Sequence, residues 1–294
     1  MIRYESIEEL VCAAEKKGVK ISEIAIEDQA KSMELSRQEL FEKMEISFDV
    51  MKKSVLEGMK KDQKSMSGLT GGEGFLMNEY ASKKDGGLCG HFLGGAIARA
   101  LSVAGCNASM GRIVAAPTAG SCGILPGALV SLYEERGFDE KEIIMSIFTA
   151  GAIGMVIANR ASIAGAEGGC QAECGSAAAM TAAALTELMG GTPAQCAHAC
   201  AMAIASQMGL VCDPVAGLVE IPCIKRNVSG LVIAFSCADM ALAGIQARIP
   251  VDECIDAMKE VGDVMSGTLK ETAGGGLATT PTGRKLKEMV FADK

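Results

Sequence analysis

The chain has 294 residues, 49% of them hydrophobic and 22% charged, a globular composition that excludes a disordered or collagen-like chain and is enough for one large domain or a domain with an appendage. Net charge is −8 with both signs mixed, so no basic stripe is available for nucleic-acid phosphates or anionic lipid. Only 4% is aromatic, with no Trp, against 35 Gly, 18 Met and 12 Cys; an interior of small, flexible side chains lets backbones approach closely.

The N-terminus, Met1 to Ser6, runs into a charged helical pattern without the apolar stretch of a signal peptide. The expected location is therefore the cytoplasm, where cysteines stay reduced and act as buried small hydrophobes, metal ligands or catalytic groups. Residues 1–64 hold 12 Lys/Arg and 14 Asp/Glu, whereas residues 86–250 hold 8 and 11. This contrast divides the chain into a solvated helical segment, 1–64, packed on a catalytic body, 65–294. Ser6 with Glu9 and Ser36 with Glu39 each fit a capping box and open helices. Met44, Phe48, Met51, Val55 and Met59 then follow at helical spacing, an apolar stripe facing the body.

Two uncharged stretches, Ile113 to Tyr133 and Leu188 to Cys212, are long enough to span a bilayer. Their Pro, Gly, Gln and His content marks them as buried soluble segments instead. Strand signals are scarce, and Ala-rich runs such as Ala177 to Leu185 favour helix, so the body is expected to be all-α. Glycines at Gly68, Gly71–Gly72, Gly86–Gly87, Gly120, Gly123, Gly168–Gly169, Gly190–Gly191 and Gly274–Gly276 mark the breaks, so short helices are expected to alternate with tight loops. Asp252 to Val261 reads as one more amphipathic helix. No fixed-period repeat appears.

Three loops place Gly beside Ser, Thr or Asn and can aim amides and hydroxyls at an anion: Ser67–Gly72, Pro117–Gly123 and Asn159–Gly169. None matches a Walker A loop or a dinucleotide fingerprint, and any one of them alone could be an ordinary turn. Cys196, His198 and Cys200 lie in an Ala-rich helical run, where the histidine is offset from both thiols; they read as helix packing rather than a zinc site. Cys170, Cys212 and Cys223 each adjoin Gly or Pro. Three thiolates in loops can hold three irons of a cubane and leave the fourth open, although this spacing alone is a weak signal.

The segments Ala115–Gly127, Gly165–Glu173 and Gly209–Asn227, with Ser67–Gly72 and Pro281–Arg284, resemble the α subunit of iron–sulfur-dependent L-serine dehydratases over nearly the whole chain. The resemblance implies an all-α subunit in which Cys170, Cys212 and Cys223 bind a [4Fe–4S] cluster, with Cys174 a bystander one turn away. It also implies L-serine as substrate, pyruvate and ammonia as products, assembly into oligomers of αβ units, and a separate β subunit, because the Ser-Ser-His-Thr motif of that part is absent here. Beside these motifs, Ser67, Thr70, Thr118, Ser121 and Arg226 are the candidate substrate-binding residues. His91, Lys225 and Glu167 are the candidate catalytic groups, with Asp213 and a histidine of the β partner as further candidates for the base. The rival readings are a pyridoxal-phosphate lyase and a non-catalytic iron–sulfur or zinc-stapled helical subunit.

Overall fold

The structure, a computed structural model, describes residues 4–292. Among these, thirteen α-helices alternate with loops, and strand pairing is confined to one parallel bridge between Cys212 and Lys270. The fold is all-α, as the Ala-rich runs and scarcity of alternating patterns imply.

Helices α1 (Ile7–Lys17), α2 (Ile21–Met33) and α3 (Arg37–Gly58) make up the charged N-terminal segment. Ser36 opens α3 with a complete capping box: its hydroxyl accepts from the Glu39 amide, and the Glu39 carboxylate accepts from the Ser36 amide at 2.8 Å. Ser36→Ala is expected to cost about 1 kcal/mol, read as a lowered midpoint in urea unfolding. At α1 only half of the expected box forms. Ser6 accepts from the Glu9 amide, but the Glu9 carboxylate turns to the amide of Glu5. The Asp252 carboxylate takes the amides of Ile7 and Glu8 at 2.9 and 3.0 Å. At α2 the N-cap Lys20 makes no side-chain cap bond, and buried Glu187 accepts from the Ser22 amide instead. A helix start favours an anion through its unpaired amides and dipole, so two residues of the body fasten these helices.

The predicted stripe faces inward. Phe48, Met51 and Val55 are buried, Met44 and Met59 are partly buried, and all five belong to one hydrophobic core shared with the body. Phe48 meets Tyr133 edge to face at 5.6 Å.

The body comprises α4 (Glu73–Ala81), α5 (Gly90–Ala108), α6 (Ile124–Arg136), α7 (Glu140–Arg160), the single turn α8 (Gly165–Gly168), α9 (Ser176–Leu188), α10 (Pro193–Gln207), α11 (Cys223–Leu242), α12 (Val251–Val264) and α13 (Pro281–Phe291). At its centre lies α9, buried at every position and packed against α6, α7, α10 and α11. Its Ala and Ser side chains present little bulk, so four neighbours can close on it. Helices α5, α7 and α11, of 19, 21 and 20 residues, are longer than the glycine content implies. Other glycines sit inside helices to admit a neighbour: a Cβ on Gly94, Gly154 or Gly230 would meet Ala81, Met180 or Ile124 within 3 Å.

Among the described residues one helix, α7, is long and apolar enough to cross a membrane, yet 67% of that stretch is buried within the protein, against α2 and α9. The two uncharged stretches weighed above are each interrupted, since α6 starts at Ile124 and α10 is bounded by Thr192 and Met208.

Candidate active site

The site forms where the loops before α4, before α6, around α8 and before α11 converge under a strap from the C-terminal region. The chain leaves α8 through Gly169 at φ 77° and ψ −178°, a conformation essentially restricted to glycine. Cys170 follows and leads into a π-helical turn, Gln171–Gly175, a device frequent at functional sites. Fully buried Gln171 anchors this turn. Its backbone amide donates to the Leu210 carbonyl, its side-chain amide donates to the Met258 carbonyl, and its side-chain oxygen accepts from the Gly209 amide, at 2.8 to 2.9 Å. The Cys170 turn is thereby joined to the segment running into Cys212.

Cys212 is held on both sides of its peptide unit. Its amide donates to Leu269 and its carbonyl accepts from Glu271, both at 2.8 Å. Cys223 opens α11, and one turn later Arg226 reaches back across the Cys212 segment. Its Nη1 donates to the Val211 carbonyl at 2.7 Å, and its Nη2 lies 2.8 Å from Asp213 Oδ1. Asp213 Oδ2 accepts from the Leu277 amide at 2.7 Å, so both of its oxygens serve the scaffold. Asn227, also fully buried, donates to the carbonyls of Gly120 and Cys223 and accepts from the Gly123 amide. One side chain thus ties the Thr118–Gly123 loop to the cysteine-bearing helix.

The three thiols share an electrostatic environment. Burial pushes Cys223 up to about 12, with negative charge on Cys170 adding to the effect. Cys212 is raised by burial first and then by Cys170, Glu173 and Cys223. Cys170 is held below the ordinary thiol range by its contact with Cys174, 3.4 Å sulfur to sulfur, and by the positive charge of Arg226. Cys174 moves the opposite way and keeps its proton. Cys170, Cys174 and Cys212 pack with Ile124 and Ala177 in a small apolar cluster, and a Cβ on Gly165 would stand 3.0 Å from Cys212 Sγ.

Among the described residues, no three His, Cys, Asp or Glu side chains are drawn tightly enough to grip a single metal ion. Sulfurs on one zinc, with bonds of about 2.3 Å, lie within about 4 Å of each other, whereas a cubane spreads its thiolates over separate irons. Cys196 and Cys200 are buried on the inner face of α10, raised by desolvation, and His198 is only partly buried.

The candidate hydroxyls gather on two carboxylates. Ser67 and Thr70 both donate to Glu220 Oε2, at 2.7 and 3.1 Å. Thr118 donates to Glu173 Oε1 at 2.8 Å and lies 3.1 Å from the buried Ser121 hydroxyl. The candidate catalytic groups are placed otherwise. Lys225 is exposed and paired with Glu73 at 2.7 Å. His91 is exposed at the start of α5, with Nδ1 2.8 Å from the Ala81 carbonyl. Glu167 is exposed and lines a surface pocket with Lys259 and Lys270. The charged groups whose fields reach the thiols are Arg226, Glu173 and Glu271.

Sequence reasoning passed over Glu173 and Glu220 as site residues. A signal was available: residues 86–250 contain only eleven acids, and these two fall inside the motifs that carry Cys170 and Cys223.

The chain was compared with known proteins. The model of the serine dehydratase alpha chain family matches residues 16–278. The probable L-serine dehydratase alpha chain of Bacillus subtilis is 45% identical over 288 residues, covering 98% of this chain and 95% of that one. The L-serine dehydratase alpha chain of Peptoniphilus asaccharolyticus is 44% identical over 279 residues, 95% of each. L-serine dehydratase TdcG of Escherichia coli is 47% identical over 182 residues, 61% of this chain but 40% of that longer protein. With the family match running almost end to end and two relatives of matching length, this chain belongs to the serine dehydratase alpha chain family.

Proposed function

We propose that this chain is the alpha subunit of an L-serine ammonia-lyase, which eliminates water from L-serine to yield pyruvate and ammonia, and that Cys170, Cys212 and Cys223 hold a [4Fe–4S] cluster for that reaction. What supports the cluster assignment is that buried Cys170 and Cys212 pack in one small apolar cluster and that the partly buried Cys223 thiol opens the helix whose Arg226 grips the Cys212 segment, although the three lie 42 and 11 residues apart. The donor set fits: three cysteines at loop and helix-start positions, a glycine leaving space beside Cys212 Sγ, and a guanidinium against the negative charge of Cys170. When bound, a cluster with one iron free of protein thiolate supplies a Lewis acid for the substrate hydroxyl, an otherwise poor leaving group.

The chain's own residues position and enclose. Arg226 and Asp213 fix the Cys212 segment against α11, and Asn227 fixes the Thr118–Gly123 loop. We assign Thr118, Ser121, Ser67 and Thr70 to the substrate carboxylate; each hydroxyl carries a single proton and would turn from its present partner, Glu173, Thr118 or Glu220, to donate there. The alpha-chain names of the relatives imply a beta chain, which we take as the partner in an αβ assembly. We place the protein in the cytoplasm, whose reducing conditions keep thiols free for metal.

Anaerobic iron–sulfide reconstitution of this chain with its beta partner is expected to give the brown absorbance of an iron–sulfur centre and pyruvate from L-serine. An intact cluster without pyruvate would overturn the dehydratase reading; pyruvate from a colourless, iron-free preparation would overturn the cluster.

A further inference from the structure

Of the carboxylates around the cysteine site, Glu173 is the one with an unbonded oxygen beside the Cys212 sulfur. Asp213 has its oxygens engaged by Arg226 and the Leu277 amide. Glu220 receives two hydroxyls. Glu173 receives the Thr118 hydroxyl on Oε1, while Oε2 has no hydrogen bond and the carboxylate no ion pair among the described residues. It is partly buried, and burial raises its pKa. Oε2 has no protein partner among the described residues, and a cation placed there would offset the cost of partly burying the carboxylate.

The surrounding backbone is cut away at just this carboxylate. A Cβ on Gly120 would stand 3.2 Å from Oε1, and one on Gly165 would stand 2.8 Å from Oε2 and 3.0 Å from Cys212 Sγ. The free oxygen and the sulfur therefore border the same space, which glycine leaves open. Thr118, on the loop that also carries Gly120, meets the carboxylate at Oε1, and the Ser121 hydroxyl lies 3.1 Å from that of Thr118. An amino acid presents an ammonium and a carboxylate on one carbon, and this arrangement offers an anion beside hydroxyl donors within one short loop contact.

We propose that Glu173 receives the substrate's ammonium group and is the residue by which the site selects a 2-amino acid over the corresponding 2-hydroxy acid. The proposal rests on the dehydratase reading. It predicts a specificity effect, because the lost contact is made with the ammonium alone. In the reconstituted αβ enzyme, Glu173→Gln is expected to raise the KM for L-serine about 10- to 100-fold, the worth of a hydrogen bond to a charged group, with a smaller change in kcat.

A readout independent of turnover is the perturbation of the electron paramagnetic resonance spectrum of the dithionite-reduced cluster on titration with L-serine or with L-glycerate, its 2-hydroxy counterpart. Glu173→Gln is expected to weaken the serine response by the same 10- to 100-fold and leave the glycerate response within about threefold of wild type, a span smaller than one hydrogen bond to a charge. Glu173→Asp should recover part of the preference. Equal weakening of both ligands, loss of the cluster in both variants, or a collapse of kcat at unchanged KM would overturn the proposal. Failure of the wild-type enzyme to make pyruvate would instead overturn the dehydratase reading on which it stands.

Discussion

Cys212→Ala is expected to abolish the iron–sulfur absorbance of the reconstituted protein and to lower pyruvate formation by at least about 10³-fold, since Lewis-acid stabilisation is worth several kcal/mol and each ~1.4 kcal/mol is a factor of ten. The fold should survive. The bonds that hold residue 212 to Leu269 and Glu271 are made by its backbone, and Arg226 grips the flanking Val211 and Asp213. Far-ultraviolet circular dichroism should therefore match wild type while colour and activity are lost. Cys174→Ala is the internal control. Its thiol touches Cys170 at 3.4 Å but keeps its proton, so this variant should keep the cluster's colour. Colour lost in Cys174→Ala and retained in Cys212→Ala would reverse the ligand assignment.

Gly58→Ala is expected to be the most destabilising single-methyl change in the N-terminal helices. A Cβ at Gly58, the last residue of α3, would fall 1.7 Å from the Ser102 carbonyl oxygen and 2.4 Å from its carbon. Those atoms belong to the backbone of α5 and have no rotamer into which to retreat. Separating the two helices opens the core on both sides, so the cost should reach the upper part of the overpacking range, about 3 kcal/mol. In a protein of this size that lowers the melting temperature by roughly 5–10 °C. Gly151→Ala, on α7, should have the opposite sign. Its Cβ meets nothing within 4 Å, and alanine is favoured over helical glycine by about 0.5–1 kcal/mol. Differential scanning calorimetry of the two variants checks both, and a tolerated Gly58→Ala would show that α3 and α5 can part without penalty.

The helical class and the path of α3 were legible because each depends on residues three or four apart. Ser36 and Glu39 close their box within one turn, and the stripe from Met44 to Met59 reports which side of α3 is dry. The Ser6–Glu9 pair carried the same signal and is only half used: the Glu9 carboxylate turns to the Glu5 amide, while Asp252, far along the chain, takes the amides of Ile7 and Glu8. Glycine was read as punctuation, and at Gly169 it is. At Gly94, Gly154 and Gly230 it is instead the space a neighbour occupies, which no local pattern reports.

The site divides in the same way. The motifs around Cys170, Cys212 and Cys223 carried the family resemblance, and the chain does belong to that family. Which carboxylate faces the thiols was not legible: Glu167 and Glu173 stand in one motif, but α8 leaves the first at the surface and the π-helical turn after Cys170 carries the second to Thr118. By itself, then, the amino-acid order determined the helical class and the stripe on α3, because these follow from side-chain chemistry repeated over a few residues, and it carried the motifs by which the chain resembles its family. Tertiary structure alone decided that Glu220 meets Ser67 and Thr70 and that Glu173 meets Thr118. Partners 55 to 153 residues apart are chosen by how closely Gly- and Ala-lined helices can pack, a property of the whole core.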